Sequence, residues 1–256
     1  VPTMYVYIVR HPDIEKHNLK GLRVCVVGGA AIPVEVQKEF EQLSGVRCLD
    51  AYGCTGWVSS IHPMFGPAKH GTLGKSLGDI YPSMDTQMRI VDDEDRELPP
   101  GQVGEIVVRG SQIAQGFWKL PEITRRDYRG GWFHTGDLGR KDEDGFVVLV
   151  DRKDDLIITS GYNVYPREVE EVLYTYPKVS EAAVVGVPDP VRGQAVKAYV
   201  VLKAGQEATV EEITTDCRSK IAAFKVPRIV ELVRELPKTA TGKILRRSLR
   251  EHTPAS

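Results

Sequence analysis

The chain has little that would take it out of a reducing compartment or into a bilayer. Only four cysteines, Cys25, Cys48, Cys54 and Cys217, stand among its 256 residues. None are spaced as C-x-x-C, so a zinc site is not indicated and the thiols read as free. Cys54 follows Gly53 in a turn-like stretch with no histidine close in sequence to activate it, and reads as a small residue rather than a nucleophile. Apolar runs such as residues 22–27 and 182–187 fall far below the roughly 20 residues that span a bilayer. No basic stretch followed by an apolar one opens the sequence, so the expected location is cytoplasmic, with peripheral membrane association left open. An excess of one charge is equally missing. Lys and Arg number 34 against 35 Asp and Glu, for a formal net charge of -1, which gives no global attraction for nucleic acid. Any anionic ligand must be held by local groups. The remainder is ordinary globular material, 41% hydrophobic and 27% charged, long enough for two modest domains of about 100–200 residues each. The first residue is Val1 rather than Met and leads at once into interior-like sequence, which gives the expectation of a piece of a longer chain.

Three textures succeed one another. Residues 22–27 read as an apolar strand, Gly28 and Gly29 as a tight turn, and residues 33–43 as a helix with Pro33 at its first position and Val36, Phe40 and Leu43 on one face. Residues 46–51 read as the next strand, delivering Tyr52 and Gly53 to a loop of the kind that binds ligands at strand ends of a parallel sheet. From about residue 71 short strand-like runs at 87–91, 104–109 and 146–150 alternate with turn-rich stretches at 98–101 and 142–145. Beyond the charged stretch 151–155 the pattern changes again. Pro166 opens a helix with Val169, Val172, Leu173 and Tyr176 as its apolar stripe, and residues 182–187 and 195–202 read as strands. Thr209 and Glu212 form a capping box for a helix carrying Val210, Ile213, Cys217 and Ile221. The expected fold is α/β and α+β. A partial α/β segment (about 1–70) and a small β-subdomain (about 71–151) make up one large domain, 1–151. A compact α+β domain, 152–256, follows, with a hinge at 151–155.

Taken alone, each glycine cluster is weak evidence. Gly28-Gly29-Ala30 is not G-x-G-x-x-G and reads as a turn before a helix, and residues 52–56 read as a flexible loop. A lone T-G-D is commonly a turn, a lone Arg152 a surface ion pair, and a lysine such as Lys243 near a chain end a solvated side chain. Their order changes the odds. G-E-I-V-V-R-G at 104–110, G-F-W at 116–118, T-G-D at 135–137, D-R-K-D at 151–154, S-G-Y-N-V-Y-P-R-E at 160–168 and P-K-T-A-T-G-K at 237–243 follow one another. In this series the chain resembles the adenylate-forming ligases, and within them the medium- and long-chain fatty acyl-CoA ligases.

The resemblance implies a carboxylic acid, ATP with Mg2+, and coenzyme A as reactants, with an acyl-adenylate formed first and a thioester second. Asp137 would accept the ribose hydroxyls, since an ionised carboxylate offers only acceptors, and Arg152 would bring fixed cationic donors toward ribose and α-phosphate. Tyr52 would stack on adenine, with a plain core aromatic as its serious alternative. Backbone of Gly28, Gly29 and Ala30 and of Asp50, Ala51, Tyr52 and Gly53 would approach base and acyl chain. Thr55 would bond the phosphate, and Lys243 would meet the α-phosphate and acyl oxygen as the adenylate forms. Asp154 would be the hinge of a rotation that withdraws Lys243 and brings up Ser160, Gly161 and Tyr162, Gly161 leaving room for the pantetheine arm.

Two departures qualify the resemblance. The family's Ser/Thr/Gly-rich loop for the β- and γ-phosphates has no counterpart ahead of Tyr52, so negligible ligase activity is expected of residues 1–256 alone. Gly56 stands where the family has a glutamate that helps to hold magnesium, and glycine has no oxygen ligand on a side chain. These features keep a second reading in view: a non-catalytic nucleotide- or CoA-binding module. A carrier protein or an oxygenase chemistry in place of coenzyme A is a third. The first α/β segment is expected to leave sheet faces and edges uncovered, and hence to self-associate or form a homodimer.

Overall fold

The computed structural model describes residues 1–54, 57–240 and 242–251. It divides into two compact units, Val1–Lys153 and Asp154–Ser256. Arg152, which the motif reading places at the start of the second domain, belongs to the first unit, because it is the last residue of a strand paired into that unit's sheet.

The first unit begins with helix α1 (Pro2–Val9), strand β1 (Cys25–Val27), helix α2 (Val34–Ser44), and strands β2 (Cys48–Cys54), β3 (Trp57–Ile61) and β4 (Lys75–Ser76). Pro33 is the cap before α2 rather than its first helical residue. Its ψ of 135° is extended, and Gly45 closes the other end in the left-handed region at φ 72°. Val36 and Phe40 are buried on the inner face of α2. The sheet order is β1-β2-β3-β4, and only β1 and β2 run parallel. β2 does not stop at Ala51. It continues through Tyr52 and Gly53 and pairs antiparallel with β3, so these two residues lie on a strand and not in a strand-end loop. A Cβ on Gly53 would come within 2.3 Å of the Trp57 carbonyl oxygen, so the close pairing of this hairpin requires glycine. β1 is an edge strand, and Val24 and Val26 beside and within it are exposed, as is Phe65.

The second sheet of this unit holds β5 (Gln87–Val91), β6 (Gly104–Arg109), β7 (Tyr128–Arg129), β8 (Trp132–Lys141) and β9 (Val147–Arg152), with helix α3 (Leu77–Ile80) before it and α4 (Pro121–Asp127) inserted ahead of β7. Its order is β5-β6-β8-β7, with β9 also on β8, and all pairs are antiparallel. Met88, Ile90, Ile106, Val108, Phe133 and Val147 pack with Tyr52, Trp57 and Leu73, which joins the two sheets into one core.

The second unit contains β10 (Ile157–Thr159), β11 (Tyr162–Val164), α5 (Pro166–Tyr174), β12 (Val179–Asp189), β13 (Gly193–Leu202), α6 (Val210–Lys220), β14 (Ile229–Leu232) and α7 (Arg246–Glu251). Its sheet runs β11-β10-β13-β12, with β14 parallel to β13. β12 sends Ala182 and Val184 to one face, against Val169, Leu173, Ile213 and Cys217, and Ala183, Val185 and Val187 to the other, against Tyr199, Leu236 and Leu249. A strand covered on both faces reads as an unbroken apolar run, which is why residues 182–187 do not alternate. Thr209 and Glu212 form both bonds of the capping box at the start of α6. Tyr176, placed on the stripe of α5 by spacing, lies beyond the end of that helix.

Candidate functional site

The T-G-D motif lies at a break in a β-ladder. Between β6 and β8 the pairs Glu105 with Leu138 and Val107 with His134 set four steps of β8 against two of β6. Thr135, Gly136 and Asp137 therefore bulge, and a bulge re-aims side chains while it takes backbone groups off their strand partners. Side chains replace those partners. The Gly136 N–H donates to Glu105 Oε1 at 3.0 Å, the Asp137 N–H to Thr135 Oγ1 at 3.1 Å, and the Thr135 hydroxyl to the Ile106 carbonyl at 2.7 Å. Gly136 stands at φ 71°, where a side chain would be strained.

The bulge aims Asp137 at Arg152, its cross-strand partner on β9. Arg152 Nε donates to Asp137 Oδ1 at 2.9 Å, and the Tyr52 hydroxyl, coming from the other sheet, donates to Oδ2 at 2.7 Å. The Asp137 side chain is 17% exposed and that of Arg152 55%, so the pair opens to solvent. Each carboxylate oxygen retains a second acceptor site for an incoming hydroxyl. The Tyr52 ring is only 7% exposed and stands edge-on to Trp57 with centroids 5.4 Å apart. The ring is packed as a core aromatic, and the Tyr52 hydroxyl is the group that reaches Asp137. Burial first, and then the negative charge of Asp137, push the Tyr52 phenol pKa far upward and keep it a donor.

Other residues singled out by motif fall around this pair or elsewhere. Gly28 lies against the Ala51 carbonyl, which a Cβ at residue 28 would meet at 3.1 Å. Gly29 and Ala30 are at the surface or half-buried, whereas Asp50 is a buried strand residue whose N–H donates to His62 Nδ1 at 3.1 Å. Cys54 is exposed at the end of β2, and burial and the Asp137 charge push its thiol pKa up, against the opposing field of Arg152. Thr55 and Gly56, assigned to phosphate and to the missing metal ligand, lie outside the described residues.

In the second unit Asp154 is an exposed residue of a 3-10 turn, Lys153–Asp155. Ser160 and Gly161, at φ 50° and 81°, form the two-residue turn that joins β10 to β11. Both angles are positive, as a type I′ hairpin turn requires. A Cβ on Gly161 would meet nothing within 4 Å. Tyr162 is 55% exposed and stacks on Phe224, with ring centroids 4.6 Å apart. Lys243 is exposed in a tight loop whose ends are tied by the bond from the Leu245 N–H to the Pro237 carbonyl at 2.8 Å and from the Thr239 N–H to the Lys243 carbonyl at 2.8 Å. Leu249 seats the following helix in the core, and Arg246 of that helix donates to both oxygens of Glu170, at 2.9 Å and 2.6 Å.

Two family models match the chain. A family model described as AMP-binding enzyme matches residues 1–118, and one described as AMP-binding enzyme C-terminal domain matches residues 168–243. The chain belongs to the AMP-binding enzyme family. It is 45% identical to a long-chain-fatty-acid CoA ligase of Bacillus subtilis over 98% of this chain and 44% of that protein. It is 38% identical to a feruloyl-CoA synthase of an Amycolatopsis species over 98% of this chain and 50% of the relative. Among solved structures, the anthranilate CoA ligase AuaEII in complex with anthranoyl-AMP matches 98% of this chain and 48% of its own at 36% identity and a TM-score of 0.89. ATP-bound MatB from Rhodopseudomonas palustris matches with a TM-score of 0.90 at 33% identity, over 98% of this chain and 49% of its own. The chain thus spans about half the length of the relatives that it matches. As a member of this family it has a mixed fold of sheets and helices, and its curated relatives include ligases that form acyl-CoA.

Two residues beside the Asp137–Arg152 pair carry no role in the motif series: Glu105, which accepts from the Gly136 N–H and from Lys153, lies in a strand-like run, and Lys153 in a charged stretch. The available signal was a carboxylate inside an otherwise apolar run, a placement that is rare unless the group is paired.

Proposed function

We propose that this chain carries the nucleotide-binding carboxylate and the lysine-bearing small domain of an AMP-forming ligase that joins fatty acids to coenzyme A. In the first step the acid's carboxylate attacks the α-phosphorus of ATP, giving an acyl-adenylate and pyrophosphate. In the second the coenzyme A thiol attacks the acyl carbon, loses its proton, and releases AMP as the thioester forms. The observation that carries the reading is the convergence of Tyr52 and Arg152 on Asp137, which leaves an acceptor-only group facing solvent with its orientation set.

The chain's own residues divide the work. Asp137 accepts the ribose hydroxyls, the Tyr52 hydroxyl holds that carboxylate in place, and Arg152 adds positive charge toward the α-phosphate. Thr55 bonds a phosphate oxygen. Lys243 stabilises charge on the α-phosphate and acyl oxygen. Asp154 serves as the pivot between steps, and Ser160, Gly161 and Tyr162 line the approach of the pantetheine arm. Among the described residues no group of three or more His, Cys, Asp or Glu could hold a metal ion, and Gly56 offers no side-chain ligand. Magnesium would enter with the nucleotide.

Calorimetric titration with AMP tests the site: binding is expected for the wild-type chain and its loss for Asp137→Ala. Residues 1–256 alone are expected to show negligible ATP–pyrophosphate exchange, since no phosphate loop precedes the Tyr52 motif in them. Robust exchange would overturn that expectation. Gly56 favours one alternative, a module that binds nucleotide without turnover. The two readings separate in a full-length ligase bearing this segment, where Lys243→Ala abolishes acyl-adenylate formation only if turnover occurs.

A further inference from the structure

Gly104, Ile106, Val107 and Val108 of β6 are all buried, and Glu105 stands among them with its side chain 7% exposed. A buried carboxylate at such a position is costly unless each oxygen is matched by a donor. Both are. Oε1 accepts the Gly136 N–H at 3.0 Å, and Oε2 accepts Lys153 Nζ at 3.1 Å, with His134 Nδ1 3.4 Å away. Lys153 reaches Asp93 as well, at 3.2 Å. One carboxylate therefore holds the residue before Asp137 and the residue after Arg152.

We infer that Glu105 is a positioning residue for the nucleotide site: through Gly136 and Lys153 it fixes the aim of the Asp137–Arg152 pair that the β8–β9 ladder brings together. The inference rests on the nucleotide-binding role proposed above. The β8–β9 ladder pairs Asp137 with Arg152, but it does not hold their neighbours, because the bulge has taken Gly136 off its β6 partner and β9 ends at Arg152 before Lys153. Lys153 is also the last residue of the first unit, so the same pair anchors the chain immediately before Asp154.

The test uses the whole chain with Glu105→Gln, Lys153→Met and the double variant. Gln keeps an acceptor of the same shape for Gly136 but loses the charge that holds Lys153. Each single change is expected to weaken AMP binding about 10-fold, the scale of a hydrogen bond to a charged group. The double variant should be no weaker than either single one, because both remove one interaction. A purely structural role would lower the melting temperature and leave affinity unchanged at temperatures well below it, and that result overturns the inference. If the wild-type chain does not bind AMP, or Asp137→Ala does not weaken binding, the nucleotide reading fails instead. The inference is then decided by amide hydrogen exchange, which needs no ligand: exchange at Gly136 should be about 10-fold faster in Glu105→Ala, which removes the acceptor of its N–H. Unchanged exchange there sinks it.

Discussion

Asp137 has two protein donors on it before any ligand arrives, and its role turns on what each of them contributes. Arg152 supplies charge and Tyr52 supplies direction, since a buried phenol on a core ring has almost no freedom to turn. Tyr52→Phe keeps the ring and removes only the hydroxyl. We expect AMP affinity to fall by about 1 kcal/mol, roughly fivefold, with the chain still folded. Equal affinity by titration would show that the hydroxyl does not orient the carboxylate. Cys54 gives an independent probe of the same field, because it is exposed while Cys25, Cys48 and Cys217 are buried. Iodoacetamide should label it first. The Asp137 charge opposes thiolate formation and Arg152 favours it. Asp137→Asn should therefore shift the labelling-rate profile to lower pH and Arg152→Gln to higher pH. A profile unmoved by both changes would place Cys54 outside their influence.

Among the elements, the β6–β8 bulge is where local structure turns into chemistry. Its stability is expected to depend on pH through Glu105. Burial alone would raise that carboxyl's pKa, but the hydrogen bonds from Lys153 and the Gly136 N–H and the Lys153 charge outweigh it, and the net shift is downward. A depressed folded-state pKa means stabilisation that is present above the ordinary value of 4.5 and is lost as pH falls through the folded one. Urea melts followed by tryptophan fluorescence should thus show a gap between wild type and Glu105→Gln at neutral pH that closes in acid. A gap of constant size across that range would remove the charge from the explanation. Most of the elements could be read from the chain. The capping box at Thr209, the helix after Pro33 and the runs at 182–187 and 195–202 each answer to local preference and periodicity. The path of Tyr52 and Gly53 could not, because glycine beside tyrosine suits a loop and a tightly paired hairpin alike, and only the approach of Trp57 chooses between them.

For the whole molecule, each unit has a core of its own, built in the second from both faces of one sheet. Trp57, Trp118 and Trp132 are the chain's three tryptophans, and all precede Lys153. Tryptophan fluorescence therefore reports the first unit, while far-ultraviolet dichroism reports both. We expect the two signals to give transitions that do not coincide, since separate cores unfold separately. Coincident transitions would mean that the units unfold as one. What the amino-acid order determined by itself was the succession of textures, the caps and buried strands, and a series of motifs sufficient to point to a family. All of these depend on neighbours within a few residues or on the order of segments along the chain. The grouping of Tyr52, Asp137 and Arg152, and the part played by Glu105, were decided only by the tertiary structure. They arise where strands of two sheets meet beside a ladder slipped by a bulge, and nothing local records which donor a displaced backbone group will find.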